Sequence, residues 1–271
     1  MKDLSGKTAF ITGGAGGIGL AMGRAFGHEG MNVMLADVEE AALQAAVSAL
    51  KDLGIRAEGV IADVTSPDDM QKAAKRTTET FGRLHLLCNN AGILRAGKVV
   101  EFGGADWQPV IDINIHGVVN GMNMLLPLIM AHGEGGHVLN TASILGMFSP
   151  PEAEAYSASK YAVVAMSEGW AVQLADKGIG VSVLCPGLVS TPIFEETGNA
   201  ELANAGLSPD AVAKRVVEAI RADQLYVFTH PEYKGLCEKR FSKILAAFDD
   251  AAQSPVLSAL PPRDYYNFGM E

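Results

Sequence analysis

The sequence has few cysteines, few charged residues and no cluster of basic residues. Only 3 of its 271 residues are cysteine, an odd number that is too small for a disulfide framework. We therefore expect Cys88, Cys185 and Cys237 to be reduced thiols, in keeping with a cytoplasmic protein. The formal net charge of −10 repels phosphate backbones, so nucleic-acid binding is not expected.

The sequence also lacks an uninterrupted apolar run of membrane-spanning length. Its first residues contain no apolar stretch long enough for a signal peptide. The most apolar part, residues 111–130, is interrupted by Asn, His, Gly and Pro. We therefore predict no membrane-spanning helix and no membrane partner.

Short β-rich runs alternate with longer helical segments from the first residues onward. Strands are predicted at 8–12, 32–36, 55–62, 84–88, 137–141, 180–185 and 225–229. Helices are predicted at 17–28, 39–53, 67–81, 112–132, 154–177 and 231–249, with another opening at Ser208-Pro209. Such alternation implies a parallel sheet with helices on both faces. We predict one α/β domain over 1–271, doubly wound and Rossmann-like, with about seven strands and an irregular tail over about 252–271.

A glycine-rich segment at 12–19 (TGGAGGIG) lies between the first predicted strand and the first predicted helix. Backbone can approach a pyrophosphate closely at such a turn, and the helix N-terminus faces its charge. Asp37 ends the second strand 18 residues after Gly19, where a carboxylate can accept hydrogen bonds from both hydroxyls of an adenosine ribose. The alternatives are a plain turn for the glycines and a helix N-cap for Asp37.

Six motifs, in order along nearly the whole chain, resemble those of the short-chain dehydrogenases/reductases. They are TGxxxGxG at 12–19, Asp63-Val64, NNAG at 89–92, the pair Asn114 and Ser143, YxxxK at 156–160 and PGxVxT at 186–191. The resemblance implies a single NAD-binding Rossmann-like domain. It also implies a substrate lid over about 193–207.

The resemblance further implies which residues form the site. The implied catalytic residues are Asn114, Ser143, Tyr156 and Lys160. The implied cofactor-binding residues are Gly13, Gly16, Gly17, Ile18, Gly19, Asp37, Val38, Asp63, Val64, Asn90, Ala91, Gly92, Tyr156, Lys160, Pro186, Gly187, Val189 and Thr191. In the family, the asparagine holds a water that passes protons from the lysine to solvent. No metal is expected, because the six histidines show no metal-ligand spacing.

Tyr156 and Lys160 lie four residues apart in a predicted helix, so their side chains project from one face. A free phenol has a pKa of about 10, and a neighbouring ammonium and a nicotinamide cation would lower that pKa by stabilising the phenolate. The phenolate could then take the hydroxyl proton of an alcohol while hydride leaves its carbon. Ser143 would hydrogen-bond the substrate oxygen.

Asp37 also predicts which nicotinamide cofactor is used. Its carboxylate would repel the 2′-phosphate of NADP, which carries roughly −1.5 to −2 charges at neutral pH. Val38 and Gly16 occupy positions where NADP-using relatives often carry Arg or Lys, so nothing offsets the repulsion. The cofactor is therefore predicted to be NAD.

The residues expected to surround the substrate are mostly apolar, and Arg95 is the only basic candidate near them. They are Leu94, Ile144, Leu145, Met147, Phe148, Leu188, Ile193 and Phe194. The predicted substrate is an apolar, bulky secondary alcohol or ketone. The run at 225–241 is weakly similar to family members that act on aryl-propanoid or steroid-like alcohols.

The predicted helices at 112–132 and 154–177 are apolar on more than one face, which predicts a homo-oligomer, a tetramer or a dimer. Two other functions stay open: a catalytically idle NAD-binding redox sensor, and a sugar-nucleotide epimerase or dehydratase of the same superfamily. Ser157 to Lys160 also fits the S-x-x-K pattern of acylating hydrolases, but the S-D-N and K-T-G partners of that pattern do not occur.

Overall fold

A computed structural model describes residues 1–95, 104–193 and 205–260, with the side chains of 104–106 left out. Seven parallel strands form one sheet in the order β3-β2-β1-β4-β5-β6-β7. The strands are β1 (Thr8–Thr12), β2 (Asn32–Asp37), β3 (Ala57–Ile61), β4 (Leu86–Asn89), β5 (Gly136–Thr141), β6 (Ile179–Cys185) and β7 (Tyr226–Phe228). The strand order reverses at β1, which pairs with β2 on one side and β4 on the other. The predicted doubly wound, Rossmann-like sheet is confirmed.

Helices connect successive strands. They are α1 (Gly17–His28), α2 (Glu40–Asp52), α3 (Pro67–Phe81), α4 (Gly104–Ile111), α5 (Gly117–Ala131), α6 (Glu154–Leu174), α7 (Pro209–Arg221), α8 (Lys234–Ala252) and the short α9 (Pro255–Ser258). The N-caps of α3 and α7 have the predicted chemistry: Ser66 and Ser208 each accept a backbone hydrogen bond, and a proline follows each of them.

Alternate residues of each strand enter two apolar layers, one on each face of the sheet. Ile11 of β1 packs in the layer that also holds side chains of α1, α2 and α7, such as Phe26 and Leu50. Phe10, the preceding residue, packs in the opposite layer, which includes Met70 of α3 and Leu125 of α5. The central strands β1, β4 and β5 are buried along their whole length, as expected for a parallel sheet covered on both faces.

One helix begins earlier than predicted. The sequence pattern predicts a helix over 112–132, whereas the helix starts at Gly104, and α4 joins α5 through a π-helical turn at Asp112–His116. Gly104 and Pro109 both disfavour helix, which is why the sequence did not indicate α4. A π-helical turn widens the backbone locally and is often found at functional sites; this one contains Asn114.

By length and hydropathy alone, the helical stretch Trp107–Ala131 could cross a membrane, with a mean hydropathy of 1.3. Met122, Leu125 and Ile129 of this stretch, however, are buried in the layer between the helices and the sheet. They belong to the core of the α/β unit, so the stretch gives no reason to infer a membrane span.

The described residues from 231 to 260 belong to a compact unit separate from Met1–His230. Within it, α8 and the short α9 contain no buried residue. The tail predicted as irregular over 252–271 thus contains a helical turn at Pro255–Ser258, because Ser254-Pro255 places proline at the first helical position. Residues 261–271 lie outside the described part. That 231–271 belong to the same domain as the sheet stays a prediction.

A buried chain of polar side chains runs from the sheet to α6. Asn89 Nδ2 donates to Asn140 Oδ1 (2.8 Å), and Asn140 Nδ2 donates to Ser167 Oγ (3.0 Å). The approach of α5 to this chain requires glycine at position 121, because a Cβ there would lie 2.0 Å from Asn89 Oδ1. The buried Asn89 Oδ1 atom therefore leaves no room for a side chain at position 121.

We predict that Gly121→Ala lowers the free energy of unfolding by about 1–3 kcal/mol, the usual cost of overpacking a core. Gly169→Ala is the matched control, since Gly169 is also helical but a Cβ there meets nothing within 4 Å. That change should be neutral or stabilise by about 0.5–1 kcal/mol, because alanine favours helix over glycine. Urea unfolding measures both; a Gly121→Ala protein as stable as wild type would contradict the close packing.

Candidate active site

The Thr12 hydroxyl joins the carboxyl ends of β1 and β4. Its Oγ1 accepts hydrogen bonds from the backbone N–H groups of Asn90 (2.9 Å) and Ala91 (3.0 Å) and donates to Cys88 O (3.4 Å). The sequence motif at 12–19 includes Thr12 but predicts no role for it. In the sequence, only the spacing of Thr12 to the glycines could have indicated this role, because its hydrogen-bond partners lie 76 to 79 residues away.

Asn90 extends this junction to β5. Its Nδ2 donates to Thr12 O (3.1 Å) and Gly13 O (3.4 Å), and its Oδ1 accepts from Thr141 Oγ1 (3.1 Å). One amide therefore holds the glycine loop and the ends of β4 and β5 together. The structure places Asn90 at the predicted site as a residue that shapes the loop.

The glycine loop leaves the start of α1 open. The N-cap of α1, Gly16, provides no side-chain hydrogen bond, and a Cβ there would meet nothing within 4 Å. At Gly19 a Cβ would lie 2.1 Å from Gly13 O, and Gly13 and Gly17 have φ angles of +63° and +51°. A side chain at Gly19 would therefore clash with the loop, and the left-handed backbone at Gly13 and Gly17 favours glycine. The first-turn N–H groups of a helix have no partner within the helix, so the start of α1 is the end that a pyrophosphate would face.

Asp37 faces the glycine loop. Its Oδ2 accepts from Ala15 N (2.9 Å), and its Oδ1 accepts from Glu39 N (3.2 Å). The N-cap of α2 is Glu39, so the alternative of Asp37 as that N-cap does not apply. Val38 beside it is 56% exposed, and no cation is introduced at this position.

Asp63 and Val64 follow β3 as expected. Asp63 Oδ1 accepts from both the N–H and the hydroxyl of Thr65 (2.8 Å each), and Val64 O accepts from Asn120 Nδ2 (2.8 Å). These bonds fix the turn on the β2–β3 side of the glycine loop. Binding of the cofactor by this pair stays a prediction.

Tyr156 and Lys160 lie side by side on α6, 8% and 3% exposed respectively. Lys160 Nζ is 5.5 Å from the centre of the Tyr156 ring and donates to Thr141 O (2.9 Å). Gly92 lies against the lysine, since a Cβ on it would be 3.3 Å from Lys160 Nζ. Ser143, whose Oγ accepts from Leu145 N (3.1 Å), lies near enough to the tyrosine to lower the pKa of its phenol. The structure therefore brings three of the four predicted catalytic side chains together.

The pKa of Tyr156 is raised in the chain itself, and the lowering predicted from the ammonium together with a nicotinamide cation stays a prediction. Burial raises the pKa of the phenol to about 12, and Ser143 lowers it by a smaller amount. Burial also lowers the pKa of the Lys160 ammonium to about 8. The sequence suggested that the ammonium would stabilise the phenolate; removal of both groups from water is the larger effect, and it disfavours both charged forms.

Asn114, the fourth predicted catalytic residue, connects the π-helical turn to α6. Its Oδ1 accepts from Ile93 N (2.9 Å), and its Nδ2 donates to Ile93 O (3.0 Å) and Ser159 Oγ (3.0 Å). The Ser159 hydroxyl in turn donates to Tyr156 O (2.7 Å). Both amide hydrogens of Asn114 are thus engaged, and its water-holding role stays a prediction.

The loop at 186–191 lies beside the catalytic residues. Pro186 O accepts from Ile144 N (2.8 Å), and Thr191 Oγ1 donates to Val189 O (3.3 Å). The Thr191 methyl faces the glycine loop, 3.2 Å from where a Cβ on Gly17 would lie. His230 hydrogen-bonds this loop at Gly187 and Leu188, a contact that the sequence did not indicate.

The predicted substrate-lining residues are described only in part. Ile144 and Met147 are buried, while Leu94, Leu145, Phe148, Leu188 and Ile193 are half-buried. Phe194 and most of the predicted lid, residues 194–204, lie outside the described residues. The lid therefore stays a prediction.

Among the described residues, one group of side chains has the spacing to hold a metal ion: His85, His132 and Glu134. His85 Nδ1 accepts from Thr8 N (3.1 Å), so its Nε2 carries the hydrogen and faces Glu134 Oε2 (3.2 Å). His132 Nδ1 accepts from Glu134 N, and its Nε2 lies 2.7 Å from Leu84 O. The ring nitrogens are engaged in hydrogen bonds at the start of β4 and β5, away from the catalytic residues.

Comparison with known proteins assigns this arrangement to a family. The family model for short chain dehydrogenases matches residues 7–202. The chain belongs to the short-chain dehydrogenase/reductase family. It is 32% identical over 266 residues to a C alpha-dehydrogenase of Sphingobium sp., covering 90% of this chain and 87% of that protein. It is 35% identical over 202 residues to a cyclohexanol dehydrogenase of Acinetobacter sp., covering 74% and 80%.

Comparison with solved structures supports the same family. A crystal structure of a short-chain dehydrogenase/reductase from Burkholderia phymatum in complex with NAD has a TM-score of 0.86 and 31% identity, covering 98% of this chain and 100% of that chain. Membership in the family, predicted from six motifs, is thereby confirmed. In this member, all of those motifs lie around the carboxyl ends of the strands, where ligands bind in open α/β sheets.

Proposed function

We propose that the protein is an NAD-dependent oxidoreductase that interconverts a secondary alcohol and a ketone. The observation that carries the proposal is the buried pair Tyr156 and Lys160 beside Ser143, next to an open glycine loop. Such a reaction needs a proton-transfer group, a hydrogen-bond donor for the substrate oxygen and a binding site for a dinucleotide. The dehydrogenases among its relatives support this reaction class.

The residues of the glycine loop fit a dinucleotide. Gly16 leaves open space at the start of α1, and the Asp37 carboxylate, already bonded to Ala15 N, retains lone pairs for ribose hydroxyls. Val189 and Thr191 would hold the nicotinamide end. NAD, when bound there, supplies the hydride acceptor.

The chain's own residues handle the proton. Tyr156 takes the hydroxyl proton of the alcohol in one direction and returns it to the ketone oxygen in the other. Ser143 orients that oxygen and stabilises developing negative charge on it. Because burial keeps the Tyr156 proton in place, the phenolate needs additional positive charge near it before it acts as a base.

The residues proposed to line the substrate are apolar. Ile144 and Met147 are buried, and Leu94 and Leu188 are half-buried. An apolar, bulky secondary alcohol or ketone fits such a lining. Relatives named for cyclohexanol and for a 3beta-hydroxysteroid are consistent with this class.

We also propose that the protein is a homo-oligomer, a tetramer or a dimer. Met124, Leu126 and Leu128 of α5 and Trp170 of α6 are only half-buried, and Met130 is 44% exposed. A second copy would cover these apolar side chains, and light scattering of the full chain reports the number of copies.

Tyr156→Phe tests the reaction. The substitution keeps the ring and removes the proton donor, so kcat should fall by roughly 10²–10⁴-fold while the dissociation constant of NAD stays within about twofold. Turnover of a panel of secondary alcohols is followed at the nicotinamide absorbance band, and NAD binding by calorimetry. Tyr161→Phe in the same helix is the matched control; a Tyr156→Phe enzyme that keeps more than about a tenth of kcat would contradict the assignment.

Asp37→Ser tests the cofactor preference. Two like charges about 4 Å apart repel by roughly 1–4 kcal/mol, so removing the carboxylate should narrow the NAD-to-NADP ratio of kcat/KM by at least about tenfold. Glu39→Gln removes an equal charge two residues away and should leave that ratio unchanged. Equal use of NAD and NADP by the wild-type enzyme would rule out the role given to Asp37.

A further inference from the structure

We propose that His230 is a positioning residue that holds the loop at 186–191 in the shape that receives the nicotinamide end of NAD. This inference rests on the proposed function. His230 follows β7, and its ring bonds two consecutive residues of the loop. Gly187 N donates to His230 Nδ1 (3.1 Å), and His230 Nε2 lies 3.0 Å from Leu188 O.

These two bonds fix the tautomer of the ring. A backbone N–H can only donate, so Nδ1 carries the lone pair and Nε2 carries the hydrogen, which it donates to Leu188 O. Thr229 Oγ1, 2.7 Å from Nδ1, donates to the same lone pair. The neutral imidazole thus supplies one acceptor and one donor, matched to one N–H and one C=O of the loop. A side chain with only one of these functions cannot reproduce both contacts.

The loop is also held by hydrogen bonds to Gly206 and Leu207. Leu188 O also accepts from Leu207 N (2.9 Å), and Ser190 N donates to Leu207 O (2.9 Å). Ser190 Oγ donates to Gly206 O (2.9 Å). Leu188 O is therefore bonded by both His230 and Leu207, directly before Val189, which is proposed to hold the nicotinamide end.

His230 is far along the sheet from the adenosine end of the site. Asp37 ends β2 and Asp63 follows β3, whereas His230 bonds the loop that follows β6; strands β1, β4 and β5 lie between. Loss of the imidazole should therefore disturb binding of the nicotinamide end and leave the adenosine end as it was. A general loss of folding would affect both ends alike.

The test compares NAD with ADP-ribose, which lacks the nicotinamide, in calorimetric titrations of the full chain. His230→Phe keeps a ring and removes both nitrogens. We expect its dissociation constant for NAD to rise about tenfold or more, because two hydrogen bonds of the loop are lost, with that for ADP-ribose within about twofold of wild type. In turnover, KM for NAD should rise by more than kcat falls.

The chain offers a matched control in His132. It has the same pattern, with Nδ1 accepting from a backbone N–H and Nε2 facing a backbone carbonyl, but it follows α5 and faces Leu84 O, just before β4. His132→Phe should leave both affinities unchanged. His230→Asn, which keeps an acceptor near the Nδ1 position, should recover part of the NAD affinity.

Unchanged NAD affinity in a folded His230→Phe protein would overturn the proposal, and so would an equal loss of NAD and ADP-ribose affinity. Should the phenylalanine variant fail to fold, His230→Ala, which adds no bulk, replaces it with the same expectations. A wild-type protein that binds neither NAD nor ADP-ribose would instead refute the proposed function on which the inference rests.

Discussion

Removal of the Lys160 ammonium and the Tyr156 phenol from water is the constraint around which the site is built. Burial lowers the pKa of the lysine to about 8 and raises that of the tyrosine to about 12, so the surrounding residues hold both groups toward their neutral forms. Hydrogen bonds from neighbouring residues hold Lys160 and Tyr156 in place. Thr141 O accepts the lysine hydrogen bond, and Asn114, through Ser159, fixes the backbone of Tyr156. A dry site of this kind strengthens any charge that later enters it, which is useful for chemistry and costly for folding.

Most of the fold could be predicted from the sequence because local patterns and sheet topology agree. Short apolar strands between capped helices can bury both faces only as a parallel sheet, and the serines at 66 and 208 mark helix starts with specific hydrogen bonds. The parts of the fold that the sequence did not predict also have a physical explanation. The α4 helix contains glycine and proline, so it depends on tertiary packing, and nothing in the sequence indicates the π-helical turn that carries Asn114.

The site was predictable where motifs occupy consecutive residues and not where contacts cross the sheet. YxxxK predicted that Tyr156 and Lys160 share a face, yet their pKa shifts depend on burial by residues of other elements. The hydroxyl of Thr12 acts on residues almost eighty positions later, and His230 reaches back more than forty positions to the 186–191 loop. Spacing alone does not show such contacts, because the strand order of the sheet, rather than the chain order, decides which loops are neighbours.

The most direct test of the cost of burial is the stability of Lys160→Met as a function of pH. The wild-type lysine has a pKa of about 8 folded and an ordinary value of 10.5, so between those pH values the unfolded chain binds more protons and wild-type stability rises with pH. The lowered pKa of the lysine corresponds to about 3 kcal/mol of stability lost by the wild type at pH 7. Lys160→Met avoids this loss but gives up about 1 kcal/mol from the hydrogen bond to Thr141. In urea unfolding, Lys160→Met should therefore exceed wild type by about 2 kcal/mol at pH 7, with an advantage that shrinks from pH 8 to pH 10. A stability difference that does not change with pH over this range would contradict the account.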